Sequence, residues 1–100
     1  MAAYMLAVCE ITNMTDNMKV YAQKSAELVA KHGGKYVLRG PAAENIEGEI
    51  LQGKLVILTE FPSMADLEAF IKGDEYQQNI KPLREGTGNY HVACFEGAAP

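Results

Sequence analysis

Two segments of this chain, YMLAVCEIT at residues 4–12 and KLVILTEF at residues 54–61, are apolar on both of their alternating faces. Successive side chains of a strand point to opposite sides. In the first segment Tyr4, Leu6 and Val8 therefore face one way, and Met5, Ala7, Cys9 and Ile11 the other. In the second, Leu55, Ile57 and Phe61 oppose Val56 and Leu58. Strands of this kind need cover on both faces. The helices of so short a chain cover only one, so a second copy is the simplest cover for the other. A chain of 100 residues buries only about 60–65% of its unfolded surface, which also favours self-association.

Between these strands the apolar period changes. Met18, Tyr21, Ala22, Ser25, Leu28, Val29 and His32 recur at helical spacing from Asp16 onward, with Lys19, Gln23, Lys24, Glu27 and Lys31 largely on the other face. Asn13 and Thr15 compete as its N-cap, and Gly33-Gly34 stops it. Residues 35–40 (KYVLRG) read as a second strand. The connection Gly40–Gly53 is longer than the about two to five residues usual for a hairpin, which suits a short extra strand or a binding loop. Ser63 with Asp66 resembles a capping box for a helix carrying Leu67, Phe70 and Ile71. Gly73 ends it, Asp74 is placed to cap a short helix through Tyr76 and Ile80, and Pro82 stops that one. NYHVACFE at residues 89–96 is the last strand, and the tail GAAP is expected to fray. The order β-α-β-β-α-β predicts an α+β, ferredoxin-like sandwich: a four-stranded antiparallel sheet in the order 4-1-3-2, helices on one face. One domain is expected over 1–100, its core about 4–97.

Composition narrows the functions. Nine basic residues face thirteen acidic ones, a net charge of -4. The basic residues are scattered singly, which argues against nucleic-acid binding. Met1 to Ile11 is too short for a membrane span, lacks a basic leader region and is interrupted by Glu10. Cys9 and Cys94 form no CxxC or zinc-ligand spacing. These features predict a cytoplasmic protein with two reduced, buried strand cysteines.

The helix followed by HGG, then KY-LRG, IEGE, LVILTEFPS, DEYQ, PLRE and a terminal FEG, resembles domain-of-unknown-function family 1330 over roughly residues 4–97. The matching positions include Tyr21, Arg39, Glu47, Glu60, Tyr76, Arg84 and Glu96. Where the family usually opens its first helix with Asp-Pro, this chain has Asn13-Met14 and one extra residue before Tyr21. The resemblance implies a dimeric α/β barrel, two ferredoxin-like subunits packed sheet against sheet around an interior cavity. It implies no established activity.

Parity puts Glu10 and Thr12 on the face of Tyr4, and Glu60 on the face of Val56 and Leu58. Strands 1 and 3 read as parallel neighbours, which gathers Glu10, Glu60 and either Tyr90 or His91 at one end of the sheet; with Cys9 and Cys94 both on the helix side, His91 is the one on the open face, near Thr12 and Glu10. Two carboxylates and an imidazole in a cavity would make a general acid–base set. The same residues at a barrel rim would instead be solvated or form ion pairs. Arg39 is placed to bind a carboxylate ligand or to clamp Glu47 in its own loop. Arg84 either reaches the cavity mouth or pairs with Glu85 or Asp74 on the surface. Tyr76 either packs its short helix or touches a ligand. His32 caps the first helix.

No glycine-rich phosphate loop, HxH, HExxH or Gly-x-Ser-x-Gly pattern is present. No metal and no cofactor are expected. Three functions remain: a cofactor-independent enzyme acting on a small carboxylate or phenol, a small-molecule-binding homodimer without chemistry, and a purely structural homodimer.

Overall fold

The computed structural model describes residues 1–97; the expected fraying of the tail falls mainly on 98–100, outside the described residues. The chain runs β1 (Ala3–Ile11), α1 (Asp16–Lys31), β2 (Lys35–Gly40), β3 (Leu55–Phe61), α2 (Met64–Ile71), a π-helical turn (Glu75–Ile80), a 3-10 turn (Lys81–Arg84) and β4 (Gly88–Glu96). The sheet order is β2-β3-β1-β4, and every neighbouring pair is antiparallel. This is the expected α+β, ferredoxin-like fold, with one correction. β1 and β3 are antiparallel, not parallel, with Tyr4 opposite Glu60 and Cys9 opposite Leu55. The reason is topological: α1 carries the chain back so that β2 runs parallel to β1, and the connection to β3 then reverses it.

Local chemistry sets the helix ends. Thr15, rather than Asn13, caps α1, its hydroxyl accepting the Met18 N–H at 3.0 Å. Gly33 follows α1 at φ 79°, a conformation that a side chain would strain. Ser63 caps α2 by accepting the Asp66 N–H at 3.2 Å. Asp74 makes no side-chain cap; it is helical itself, at φ -63° and ψ -35°. The connection between β2 and β3 forms turns and no further strand.

The core lies between the helices and one face of the sheet. Ala3, Met5, Leu28, Val29, Phe61, Leu67, Phe70, Tyr76 and Ile80 form one buried cluster. Phe70 is its centre, with ring centroids 5.7 Å from Phe61 and 5.1 Å from Tyr76. Such aromatic pairs contribute about 0.5–1.5 kcal/mol each beyond burial. Cys9 belongs to the buried face, whereas Cys94 is exposed, against expectation. β4 is an edge strand, and α2 packs over β1 and β3 instead.

β2 departs from a regular hairpin. Tyr36 pairs with Thr59, but the next pairs are Leu38 with Leu58 and Arg39 with Ile57, so an extra residue is accommodated between Tyr36 and Leu38. In a regular strand positions 36 and 39 point to opposite faces. The bulge puts both on the helix-side face, and the Arg39 guanidinium lies 5.0 Å over the Tyr36 ring.

Candidate ligand-binding site

A cavity of about 230 Å³ lies on the helix side of the sheet, within a single chain. Its floor is the apolar face of β1 and β3, including Met5, Ala7, Leu55 and Ile57, and α1 presents Met18, Tyr21 and Ala22 to it. The charged side chains lining it are Lys19, Arg39 and Arg84, with no Asp or Glu. That is notable in a chain of net charge -4. The ion pairs among the described residues are Lys35–Glu60, Lys54–Glu10 and Lys72–Glu68, so none of these three cations is neutralised by a carboxylate there.

Arg84 is held by tyrosines instead. Its guanidinium lies 4.3 Å over the Tyr90 ring and 5.7 Å from that of Tyr21. Its Nη1 donates to the Tyr21 hydroxyl at 3.4 Å, and that hydroxyl lies 2.8 Å from the Tyr76 hydroxyl. Burial, with the neighbouring Tyr21, pushes the Tyr76 hydroxyl far above the ordinary tyrosine range, outweighing the Arg84 charge. Tyr76 therefore stays protonated at any physiological pH. The Tyr36 hydroxyl is also pushed up by burial, with Arg39 acting the other way.

The turn that carries Arg84 is pinned by Thr87, which is fully buried. The Thr87 hydroxyl donates to the Arg84 carbonyl and meets the Tyr90 hydroxyl. The Thr87 carbonyl accepts the N–H groups of Thr12 at 2.8 Å and Asn13 at 3.0 Å. Thr12 thus anchors the turn and does not line the cavity; its own hydroxyl donates to the Thr87 carbonyl at 3.3 Å.

The antiparallel register separates the expected acid–base set. Glu10, Glu60 and His91 do share the open face. His91 is opposite Val8, and Glu10 is opposite Asn89, so these two are diagonal neighbours. Glu60 sits opposite Tyr4, four residues further along β1 from Val8, or roughly 13 Å by strand rise. None of the three lines the helix-side cavity. Glu10 accepts from Asn89 at 2.9 Å and lies 3.9 Å from Lys54. Glu60 accepts the Tyr4 hydroxyl at 2.8 Å and pairs with Lys35 at 3.4 Å. The Tyr4 bond holds the Glu60 carboxyl below its usual range, helped by Lys35 against some desolvation.

Of the expected ligand-binding residues, Arg39, Tyr76 and Arg84 line the cavity. Arg39 makes no ion pair with Glu47, and Arg84 none with Glu85 or Asp74. Tyr36 and Thr87 were not singled out by sequence reasoning as site residues, and Tyr90 was set aside there in favour of His91. Tyr36 was hidden by the bulge, and Thr87 carries no motif.

The family model for "Domain of unknown function (DUF1330)" matches residues 2–98. The chain belongs to that family. No curated protein matches this DUF1330 chain. Among solved structures it is similar to RPA0582, a protein of unknown function from Rhodopseudomonas palustris, with a TM-score of 0.70 at 17% identity, over 99% of this chain and 84% of that one. It is also similar to SnoaB, a cofactor-independent oxygenase from Streptomyces nogalater, with a TM-score of 0.64 at 9% identity, over 99% and 95% of the two chains. A conserved protein from Methanosarcina mazei Go1 follows with a TM-score of 0.59 at 16% identity, over 95% and 91%. At these identities the likeness is one of fold. Among the described residues no helix is long and apolar enough to cross a membrane. No group of three or more His, Cys, Asp or Glu among them is placed to hold a metal ion.

Proposed function

We propose that this DUF1330 chain is a homodimer that binds a small organic carboxylate or phenolate in the helix-side cavity of each subunit and acts on it by acid–base chemistry without a cofactor. The observation that carries the reading is the cavity lining: an apolar body with Lys19, Arg39 and Arg84 and no carboxylate. Cations with no anion of their own favour an anionic ligand, and a guanidinium fits a carboxylate in a bidentate way. The aromatic walls suit a flat ligand.

The proton-donating role falls to Tyr21, which Tyr76 and Arg84 hold in place. With the protonated Tyr76 as donor, Tyr21 accepts from it and from Arg84, which leaves the Tyr21 proton free for the ligand. The oxygenase SnoaB supports cofactor-independent chemistry on this fold by analogy alone. The dimer is supported by the open face of the sheet, where Leu38 and Phe95 remain 47% and 49% exposed with no element over them.

The test is a thermal-shift screen against small aromatic and aliphatic carboxylates and phenols. A ligand at 100 times its Kd stabilises by about 2.7 kcal/mol, a shift of about 10 °C or more at this size. Acids that stabilise the wild type but not Arg84→Met are the expected result. Uniform silence of all carboxylates and phenols would sink the reading. Light scattering should give twice the chain mass of 10.9 kDa.

A further inference from the structure

One polar group on the cavity wall has no role in the network around Arg84. Thr59 lines the cavity on β3, its side chain is fully buried, and its Oγ1 has no hydrogen-bond partner among the described residues. Valine has the same shape and would avoid the penalty of an unpaired buried hydroxyl. Most buried hydroxyls in folded proteins are paired, so an orphan inside a ligand cavity points to a partner that the ligand supplies.

The position of Thr59 says where on the ligand that partner lies. Thr59 is opposite Met5 on β1 and Tyr36 on β2. Arg84 stacks on Tyr90, which is in register with Cys9 and hence with Leu55. Thr59 is therefore four residues along β3 from the level of Tyr90, about 13 Å, and two strand spacings away, about 10 Å. The Arg84 cluster and the orphan hydroxyl occupy opposite corners of the floor, while Arg39, 5.0 Å over the Tyr36 ring, lies nearer the hydroxyl. Between them the floor is apolar, formed by side chains such as Ala7 and Ile57. Met5 is the cross-strand neighbour of Thr59 on that face. Its unbranched thioether re-poses easily and can open the way to the hydroxyl.

We infer that the Thr59 hydroxyl is the polar contact for the far end of the ligand, so that the ligand is an organic anion with a carbonyl or hydroxyl oxygen at the end opposite its charge. This rests on the cavity being the ligand site. A threonine hydroxyl both donates and accepts, so either oxygen satisfies it.

Calorimetry with two shape-matched pairs tests this: 4-acetylbenzoate against 4-isopropylbenzoate, and 3-(4-acetylphenyl)propanoate against 3-(4-isopropylphenyl)propanoate. Desolvation favours the isopropyl member of each pair, so preference for the ketone requires a bond inside the cavity. Wild type should bind the ketone of at least one pair about tenfold more tightly. Thr59→Val should abolish or invert that preference, Thr59→Ser should keep it, and the ligand-free Tm of Thr59→Val should equal or exceed that of wild type. Acids that bind without preference for the ketone, or with a preference that survives in Thr59→Val, would overturn the role of Thr59 and leave the cavity reading standing. A fall in the Tm of ligand-free Thr59→Val would show the hydroxyl to be bonded within the protein and would also overturn it. Failure of all four acids to bind wild type, when other carboxylates or phenols of the thermal-shift screen do bind, would overturn this inference alone; silence of those as well would defeat the cavity reading.

Discussion

The Tyr21 hydroxyl, on α1, lies 2.8 Å from the Tyr76 hydroxyl, on a π-helical turn 55 residues later in the chain. Tyr76 is only 3% exposed, so without Tyr21 its hydroxyl loses the only partner it has among the described residues. Tyr21→Phe should therefore cost about 1–2 kcal/mol, and Tyr76→Phe about as much. The double variant should cost less than the sum, because it removes both polar groups together. Thermal denaturation of the four proteins measures this coupling, and strict additivity would show the two hydroxyls to be independent.

Thr87 ties the Arg84 turn to Tyr90 while fully buried. Thr87→Val should destabilise by about 1–3 kcal/mol through the partners it strands. It should also loosen Arg84, so that binding of any acid found to occupy the cavity weakens although Thr87 does not line it. Denaturant melts and calorimetry on the same preparation separate the two effects.

Glycines 34 and 88 stand where no side chain fits. A Cβ on Gly34 would lie 2.7 Å from a Val29 methyl and 2.8 Å from the Phe61 ring. One on Gly88 would run into the carbonyl oxygen of Glu10 on the neighbouring strand. Side chains yield more readily than a paired strand backbone. Gly34→Ala should cost about 1–2 kcal/mol and Gly88→Ala about 3 kcal/mol or more. Equal losses in urea melts would contradict the close approach of β1 and β4.

On the open face, Tyr4 lowers the Glu60 carboxyl and Glu60 in turn raises the Tyr4 hydroxyl. A carboxyl depressed by folding adds stability that is fully present above its unfolded value and is lost as pH falls through its folded one. Acidification below the ordinary carboxylate range should therefore remove the contribution of this pair. In Tyr4→Phe the Glu60 titration, followed by NMR, should move up toward the ordinary range. An unchanged midpoint would mean that Tyr4 does not bond the carboxylate in solution.

The strands and helices were legible because each carries its own period and its own stop signal. Strand parity also assigned Glu10, Glu60 and His91 to one face, as the ladder bears out. Parity says nothing of direction, however, and a parallel reading of β1 and β3 moved Glu60 to the wrong end. The chain path contained the correction, since a helical crossover followed by a reversal makes β3 antiparallel to β1. Two further features have no counterpart in the pattern of residues. The bulge in KYVLRG leaves no glycine or proline between Tyr36 and Leu38 to announce it. The cavity lies under the helices, where the apolar floor reads like any core face. Tyr21 fitted the helical apolar stripe so well that its hydroxyl drew no notice.

The irregularity in β2 has an effect beyond aiming Arg39. β2 is one rim of the sheet, and a straight rim strand is a template on which further chains can add without limit. With an extra residue between Tyr36 and Leu38 and charged side chains at Lys35 and Arg39, this rim cannot present an even ladder to a newcomer. The pairing proposed above uses the broad side of the sheet, a closed contact that ends at two instead of extending the ribbon. The device that turns a cation toward the cavity thus also blunts this rim of the sheet as a template for strand addition.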